Sequence, residues 1–327
     1  MKNNTFKEIA DVLTGGEIIY IFPHIVMDGD AIGSGGALCC ALRAMGKTSY
    51  VITEDEIPDN LKFADKGYTM AYGQAINSID KDYISVCVDC SETKRFPKRK
   101  DLFEGGKIKV CIDHHKTAEP ICDYNYVDPD AAATCELIYY LLMEMKTEIT
   151  PEIADLLYTG IATDTGNFQY SNTTKETHEI VSKLYDVKNG FNDVSLEIYE
   201  NETFEKLALQ GEIFKSAMTF AGGKGIIAWV SQEMLKKCNA TMNDSEGSVS
   251  KLRSIGTCEV ACLLRENADG TIKASLRSKR FFDVAKLSAK YGGGGHTRAA
   301  GFTVKGTISE VKDNIIEEVQ REIEKEQ

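Results

Sequence analysis

The sequence predicts an α/β protein: a parallel sheet with helices on both faces, followed by a smaller α/β domain. Three observations carry that expectation. Short apolar, β-branched runs alternate with helix-like segments through the first half, and near-continuous apolar strands are those buried on both faces of a parallel sheet. The alternation breaks around residues 186–205, where VKNGFNDVSLEIYENETFEKL is polar and contains Gly190. A new set of strands and helices then follows, within a length of 327 residues that suits two domains. The boundaries read as 1–187 for the first domain, 188–215 for a linker with some helix, and 216–327 for the second.

Taken in order, MKNNTFKEIADVLTGG has the pattern of an amphipathic helix ending at glycines, not of a signal peptide. EIIYIFP is the first strand, and DAIGSGGALCCALRAMGK is a helix that stops at Gly46. TSYVIT, YISVCVD and KIKVCID are further buried strands. DAAATCELIYYLLMEM and PEIADLLYTGIATDTG are helices, the second opened by Pro151 at a favourable first-turn position. A capping pattern, Thr173-x-x-Glu176, opens the helix that carries His178, expected at the surface. The second domain contributes strands GIIAWV, CEVACLL and TIKASLRS, a helix FDVAKLSAKY, the glycine run GGGGHTRAAGF and a last helix SEVKDNIIEEVQREIEKE.

Composition excludes several function classes. Hydrophobic content of 43% and charged content of 27% describe an ordinary globular protein. No apolar run reaches the length of a membrane span, so a cytoplasmic protein with no membrane partner is expected. Ten cysteines in a chain without an export signal point to a reducing compartment. In the one CxxC, Cys87 to Cys90, a strand would aim the two thiols at opposite faces, so both read as structural, as do Cys258 and Cys262. A net charge of -12 opposes association with a long phosphate backbone, which excludes long duplex nucleic acid as a partner. A small anionic substrate stays compatible where cations neutralise the acidity.

The chemistry concentrates at strand ends. His24, Asp28 and Asp30 follow the first strand in HIVMDGDAIGSGGAL; Asp89 ends YISVCVD; Asp113, His114 and His115 end KIKVCID; Asp164 breaks a helix in GIATDTGNF. In a parallel sheet the C-terminal strand ends share one edge, where such folds bind ligands. Carboxylates gathered there without cations would repel one another and raise their own pKa values. Oxygen and imidazole donors without thiolate suit Mn²⁺ best, with Mg²⁺ or Co²⁺ as substitutes. The set exceeds the needs of one ion, so two divalent ions are expected. Gly33, Ser34, Gly35 and Gly36 are expected to let the helix start approach that site. In the second domain Gly294 and Gly295, beside His296, Arg298 and Arg277, read as a phosphate cradle.

These motifs, in this order, resemble the Asp-His-His (DHH) phosphoesterases, and GGGGHTRAAGF, Gly292 to Phe302, resembles the signature of their companion C-terminal domain. Size and spacing are similar to the small branch with oligoribonuclease and 3′-phosphoadenosine 5′-phosphate (pAp) phosphatase activities. The resemblance implies that His24 and Asp28 hold one ion, that Asp30, His114 and Asp164 hold the other, and that Asp89 bridges them. It implies that Asp113 orients a ligand imidazole and that His115 reaches the phosphate or the leaving oxygen. Met27 stands where the family commonly has proline. The expected reaction is hydrolysis of short oligoribonucleotides or linear dinucleotides such as pApA to mononucleotides, and of pAp to AMP. A homodimer is a family expectation. Cyclic dinucleotides are the alternative substrate, and an inactive nucleotide-sensing module is the alternative from another class. A family-II pyrophosphatase lacks the GGGGH element, and a RecJ-like exonuclease is longer.

Overall fold

The structure, a computed structural model, describes residues 3–78, 82–115 and 122–325. Met1 and Lys2 of the first expected helix and Glu326 of the last lie outside these residues. The chain forms two units, residues 1–201 and 202–327.

The first unit contains α1 (Phe6–Gly15), β1 (Ile18–Phe22), α2 (Gly29–Ala44), β2 (Thr48–Thr53), β3 (Thr69–Ala71), α3 (Tyr72–Ser78) and β4 (Ile84–Val88). It continues with α4 (Lys100–Glu104), β5 (Ile108–Asp113), β6 (Tyr124–Val127), α5 (Thr134–Glu144), α6 (Pro151–Asp164), α7 (Lys175–Val187) and α8 (Asn192–Tyr199). The strands form one parallel sheet in the order β3-β2-β1-β4-β5-β6. Alternation along each strand feeds two cores. Ile19, Ile21, Val86, Val88, Val110 and Ile112 pack with apolar residues of α1, α2, α5 and α6. Tyr20, Phe22, Cys87 and Cys111 face the other way, onto Phe96 and Phe103. Both faces are covered, which is why these strands read as unbroken apolar runs. The chain passes from the β1 side of the sheet to the β4 side at its centre, so the C-terminal ends of β1 and β4 flank the switch point where open α/β sheets bind ligands.

Several local expectations are corrected. The glycines of α2 serve helix packing rather than approach to the site. A methyl group at Gly33 would collide with the Leu156 carbonyl, and one at Gly36 would press on the Leu156 side chain, so the small residues let α2 and α6 lie close together. Helix α5 starts at Thr134, not at Asp130, because Ala133 is extended (φ -155°, ψ 153°). The cap of α7 is Thr174 paired with Thr177, one residue beyond Thr173-x-x-Glu176. Strand β4 ends at Val88, and Asp89 then takes φ +55°. That turn brings Cys90 into the same apolar cluster as Cys87, whereas a continued strand would have separated them. Strands β3 and β6 are short and only half-buried, and carried too little apolar signal to be read.

Residues 188–215, expected as a linker with some helix, hold most of two helices. Val194 of α8 is buried in the first unit, and the Tyr199 hydroxyl donates to the Ala162 carbonyl at 2.8 Å. Helix α9 (Phe204–Ser216) places Leu209 and Ile213 in a core of the second unit with Ile226 and Leu263.

The second unit continues with β7 (Met218–Phe220), β8 (Gly225–Val230), α10 (Gln232–Cys238), α11 (Ser248–Arg253), β9 (Val260–Glu266), β10 (Thr271–Ser278), α12 (Val284–Lys290), β11 (Gly294–His296), β12 (Ala299–Lys305) and α13 (Ile308–Lys325). Its sheet runs β11-β12-β10-β9-β8-β7, with β8 and β9 parallel and the other neighbours antiparallel. Leu276, Ala300 and Phe302 face α12 and α13, whereas Ala261 and Leu263 face α9 and α11.

Candidate metal centre

Beyond the end of β1, His24 is buried, and its Nδ1 lies 2.7 Å from the Ile25 carbonyl oxygen. An imidazole whose Nδ1–H donates to a carbonyl presents an Nε2 lone pair, the form a metal takes. That Nε2 lies 3.3 Å from Asp89 Oδ2 and 3.7 Å from Asp28 Oδ2. His114, past β5, repeats the device: Nδ1 sits 3.1 Å from the Ala131 carbonyl oxygen. Its Nε2 lies 3.2 Å from Asp164, 3.5 Å from Asp89 and 3.9 Å from Asp30. Three overlapping donor groups result, His24–Asp28–Asp89, Asp30–His114–Asp164 and Asp89–His114–His115, each with one atom per residue within 4.8 Å of the others.

The backbone holds the carboxylates in place. Asp28 caps α2, its Oδ1 accepting from the N–H groups of Asp30 and Ala31 at 3.2 and 3.0 Å. Asp30 is fully buried and sits on the N-terminus of α5. The Cys135 N–H donates to its Oδ1 at 2.9 Å and the Thr134 N–H donates to its Oδ2 at 2.6 Å. Those free N–H groups and the positive helix end favour the anion. Gly160 of α6 leaves the room, since a methyl group there would strike Asp30. Asp89 accepts from the Thr134 hydroxyl at 3.0 Å, and its left-handed backbone is a strained conformation of the kind that gathers at functional sites. Asp164 ends α6, at the negative end of the helix dipole.

Electrostatics show what the cluster lacks. Two carboxylates within 4.8 Å repel by about 3–4 kcal/mol at an effective dielectric of about 20. Burial, then the charges of Asp89 and Asp164, push Asp30 well above the carboxylate range. Burial works against a charged His24, but Asp28 and Asp89 overcome it and raise the imidazole to about 10. His114 is likewise raised to about 10 by Asp164, Asp30 and Asp89, against burial. The site therefore draws positive charge. Its oxygen and imidazole donors, with Nε2 of both histidines turned toward the carboxylates, fit divalent cations.

His115 lies at the rim, 40% exposed, with Nδ1 2.7 Å from Asp113 Oδ1 and 3.7 Å from Asp89 Oδ1. Asp113 Oδ1 also accepts from the N–H groups of His114 and His115. Asp113 thus orients His115, whereas the candidate ligand imidazoles, His24 and His114, are held by the Ile25 and Ala131 carbonyls. A small pocket beside the cluster is lined by Asp89, Cys90, Ser91, Glu92, Arg95, Asp113 and His115. Thr134, Cys135 and Arg95 were missed in the sequence. The alanine run before Thr134 was the one available signal, and it reads as a helix start.

In the second unit, Gly294–His296 form an edge strand paired with β12 rather than a free glycine loop. Gly295 requires glycine: its φ is +140°, and a Cβ would meet Ala300. His296 pairs with Ala299, which pairs with Arg277, so the two side chains stand on the same face with β12 between them. Gly294, Gly295 and His296 are exposed, and Arg277 and Arg298 are half-buried. Arg298 Nη1 donates to the Phe282 carbonyl at 2.8 Å. Burial, then nearby Arg253, lower the Arg277 guanidinium pKa. His178 is exposed and stacks on Phe168.

Family models agree with this division. The DHH family N-terminal domain matches residues 18–161, and the DHHA1 domain matches residues 222–325. The chain is 32% identical over 319 residues to the bifunctional oligoribonuclease and PAP phosphatase NrnA of Thermus thermophilus, covering 96% of this chain and 93% of the relative. The chain belongs to the DHH family. A second DHH relative, the bifunctional oligoribonuclease and PAP phosphatase NrnA of Bacillus subtilis, is 25% identical over 91% of this chain and 92% of its own. Among solved structures, an exopolyphosphatase-related protein from Bacteroides fragilis superposes with a TM-score of 0.89 at 28% identity, covering 98% of this chain and 97% of that one. Exonuclease RecJ bound to manganese shares the fold at a TM-score of 0.55 and 16% identity, over 98% of this chain and 95% of that one. Among the described residues no helix is long and apolar enough to cross a membrane.

Proposed function

We propose that this chain is a metal-dependent phosphoesterase that hydrolyses short oligoribonucleotides and linear dinucleotides to mononucleotides, and pAp to AMP. The observation that carries this reading is the set of overlapping donor groups at the switch point of the sheet, with Asp89 close to the Nε2 atoms of His24 and His114. The names of the curated relatives point to the same chemistry.

In this reading His24 and Asp28 hold one divalent cation, Asp30, His114 and Asp164 hold a second, and Asp89 serves both, with Mn²⁺ the preferred ion. Such cations lower the pKa of a bound water and neutralise phosphoryl oxygens. The protein's own groups do the rest. The carbonyls of Ile25 and Ala131 fix the ligand tautomers. Asp113 engages His115 Nδ1 and leaves Nε2 to meet a substrate oxygen, as a hydrogen-bond donor or as the acid for the leaving group. Arg95, at the pocket beside His115, supplies positive charge for a phosphate. Arg277, Gly294, Gly295, His296 and Arg298 contact the substrate away from the reacting phosphorus. A cytoplasmic location, a homodimer and short nucleotides as the only nucleic-acid partners complete the proposal.

The test is a substrate panel with Mn²⁺: pAp, pApA, oligoribonucleotides of increasing length, a cyclic dinucleotide and a long single strand. Release of AMP from pApA and pAp, fading with chain length, is the expected result. Turnover of the cyclic dinucleotide alone would replace the reading, and no turnover of any substrate by folded, metal-loaded protein would favour a sensing module.

A further inference from the structure

Strands β4 and β5 carry a second cluster on the face opposite the α2–α6 layer. Cys87 and Cys111 are paired in register on the two neighbouring strands and are both buried. Cys122, two residues before β6, is half-buried and packs against the same cluster. Its sulfur lies 3.8 Å from that of Cys87, across a sequence separation of 35. All the cysteines are free thiols. None of their sulfurs is among the candidate metal donors described above.

We infer that Cys122 is a peroxide-reactive thiol and that Cys87 is its resolving partner, so that a hydroperoxide converts the pair to a disulfide fastening the approach to β6 onto β4. Three features of the site support this. A disulfide needs its sulfurs about 2.05 Å apart, so the gap must close by only ~1.8 Å, and Cys122 stands outside any strand or helix and can supply that shift. Its half-exposed position admits a small oxidant to a cluster that is otherwise closed. Hydrogen bonds from Cys111 and Cys87 also hold the Cys122 thiol below the usual thiol range, whereas burial raises that of Cys40, another half-buried thiol. The thiolate is the reactive form.

The chemistry balances with a hydroperoxide as co-reactant. Cys122 sulfur attacks one peroxide oxygen; the O–O bond breaks, an S–O bond forms, and the displaced oxygen leaves with the thiol proton as water or alcohol. Cys87 sulfur then attacks the sulfenic sulfur; the S–S bond forms and the S–O bond breaks. The second oxygen departs as water with the Cys87 proton. Two thiols are oxidised and one peroxide is reduced.

The full-length reduced protein, treated with a slight molar excess of hydrogen peroxide, blocked with N-ethylmaleimide and digested without reductant, tests this by mass spectrometry. Cys40 and Cys238, also half-buried, are internal controls. A Cys87–Cys122 linked peptide should accumulate, with Cys122 consumed at least ~10-fold faster than either control. Cys122→Ser should abolish the link and leave Cys87 free, with hydrolytic activity unchanged. Cys87→Ser, or Cys87→Ala where serine destabilises the core, should leave Cys122 as a sulfenic acid captured by dimedone. Faster loss of Cys40 or Cys238, a Cys111–Cys122 link instead, or overoxidised Cys122 with no link in the wild-type chain would each overturn the assignment.

Discussion

The two units hold their candidate functional groups in opposite ways. In the first, Asp30 and Asp89 are buried, and backbone amides, a threonine hydroxyl and two carbonyl-tethered imidazoles fix the ligand atoms. In the second, Gly294, Gly295 and His296 lie on an exposed edge strand, and Arg277 reaches the same face only through strand register. Burial makes charges strong and intolerant of loss, because a group left without its partner keeps its full desolvation cost. Exposure makes them weak and forgiving, because water replaces what is removed. Substitutions in the first unit should therefore strike turnover and metal binding, and those in the second should strike substrate affinity.

The largest effect is expected at Asp89, which faces His24, His114 and His115 at once. Asp89→Ala should lower turnover of a dinucleotide by more than about 100-fold, beyond the ~10–100-fold cost of losing an outer-shell partner. Circular dichroism would establish that the variant is folded. A folded variant keeping about a tenth of wild-type turnover would place Asp89 among such outer partners and remove the contrast between the units.

Asp113 should come next. Asp113→Asn keeps the shape but loses the charge that holds His115, so turnover should fall by ~10–100-fold with little change in KM. His115→Ala added to it should cost much less than it does in the wild type, since both act through one contact. Additive losses would show that Asp113 works on another group.

Removing the metal sharpens the comparison through pH. In the metal-free chain His24 and His114 are raised from 6.5 to about 10. Their contribution to stability is fully present below pH 6.5 and is lost as pH rises towards 10. The melting temperature of chelator-treated protein should therefore fall across that window. With Mn²⁺ present the trend should reverse at its lower end, because ligand imidazoles bind the ion deprotonated and metal affinity grows as protons leave. Identical profiles with and without chelator would mean that these histidines do not bind metal.

The same contrast explains what the sequence revealed. His24, Asp89, Asp113 and His114 stand at the C-terminal ends of apolar strands, so strand direction in a parallel sheet places them at one edge. What decides their geometry was hidden. The N-terminus of α5 meets Asp30 because Ala133 is extended, yet Asp-Ala-Ala-Ala reads as helix by propensity. The α2 glycines answer a helix on the far side of the chain, which no local pattern reports. The GGGG run as sequence suggests a loop, and only its pairing with β12 makes it a strand. Strand ends are local information, while caps supplied by another element are not.

The smallest effects belong to the exposed edge. His296→Ala removes a ring that stands on the same face as Arg277, beside the half-buried Arg298, without disturbing a core. A hydrogen bond to a phosphate, screened by solvent, contributes about 1–2 kcal/mol, so KM for a dinucleotide should rise roughly 5–30-fold while kcat and Mn²⁺ affinity stay near wild type. Arg277→Ala should behave alike. Arg298→Ala should raise KM too, but it also deletes the bond to the Phe282 carbonyl just before α12, so its melting temperature should fall where that of His296→Ala does not. If these groups bind one end of a substrate, as proposed, the penalty should be greatest on the shortest substrates and fade with length. A loss in kcat with unchanged KM in His296→Ala would place this edge in the chemical step, and the division of labour between the units would fail.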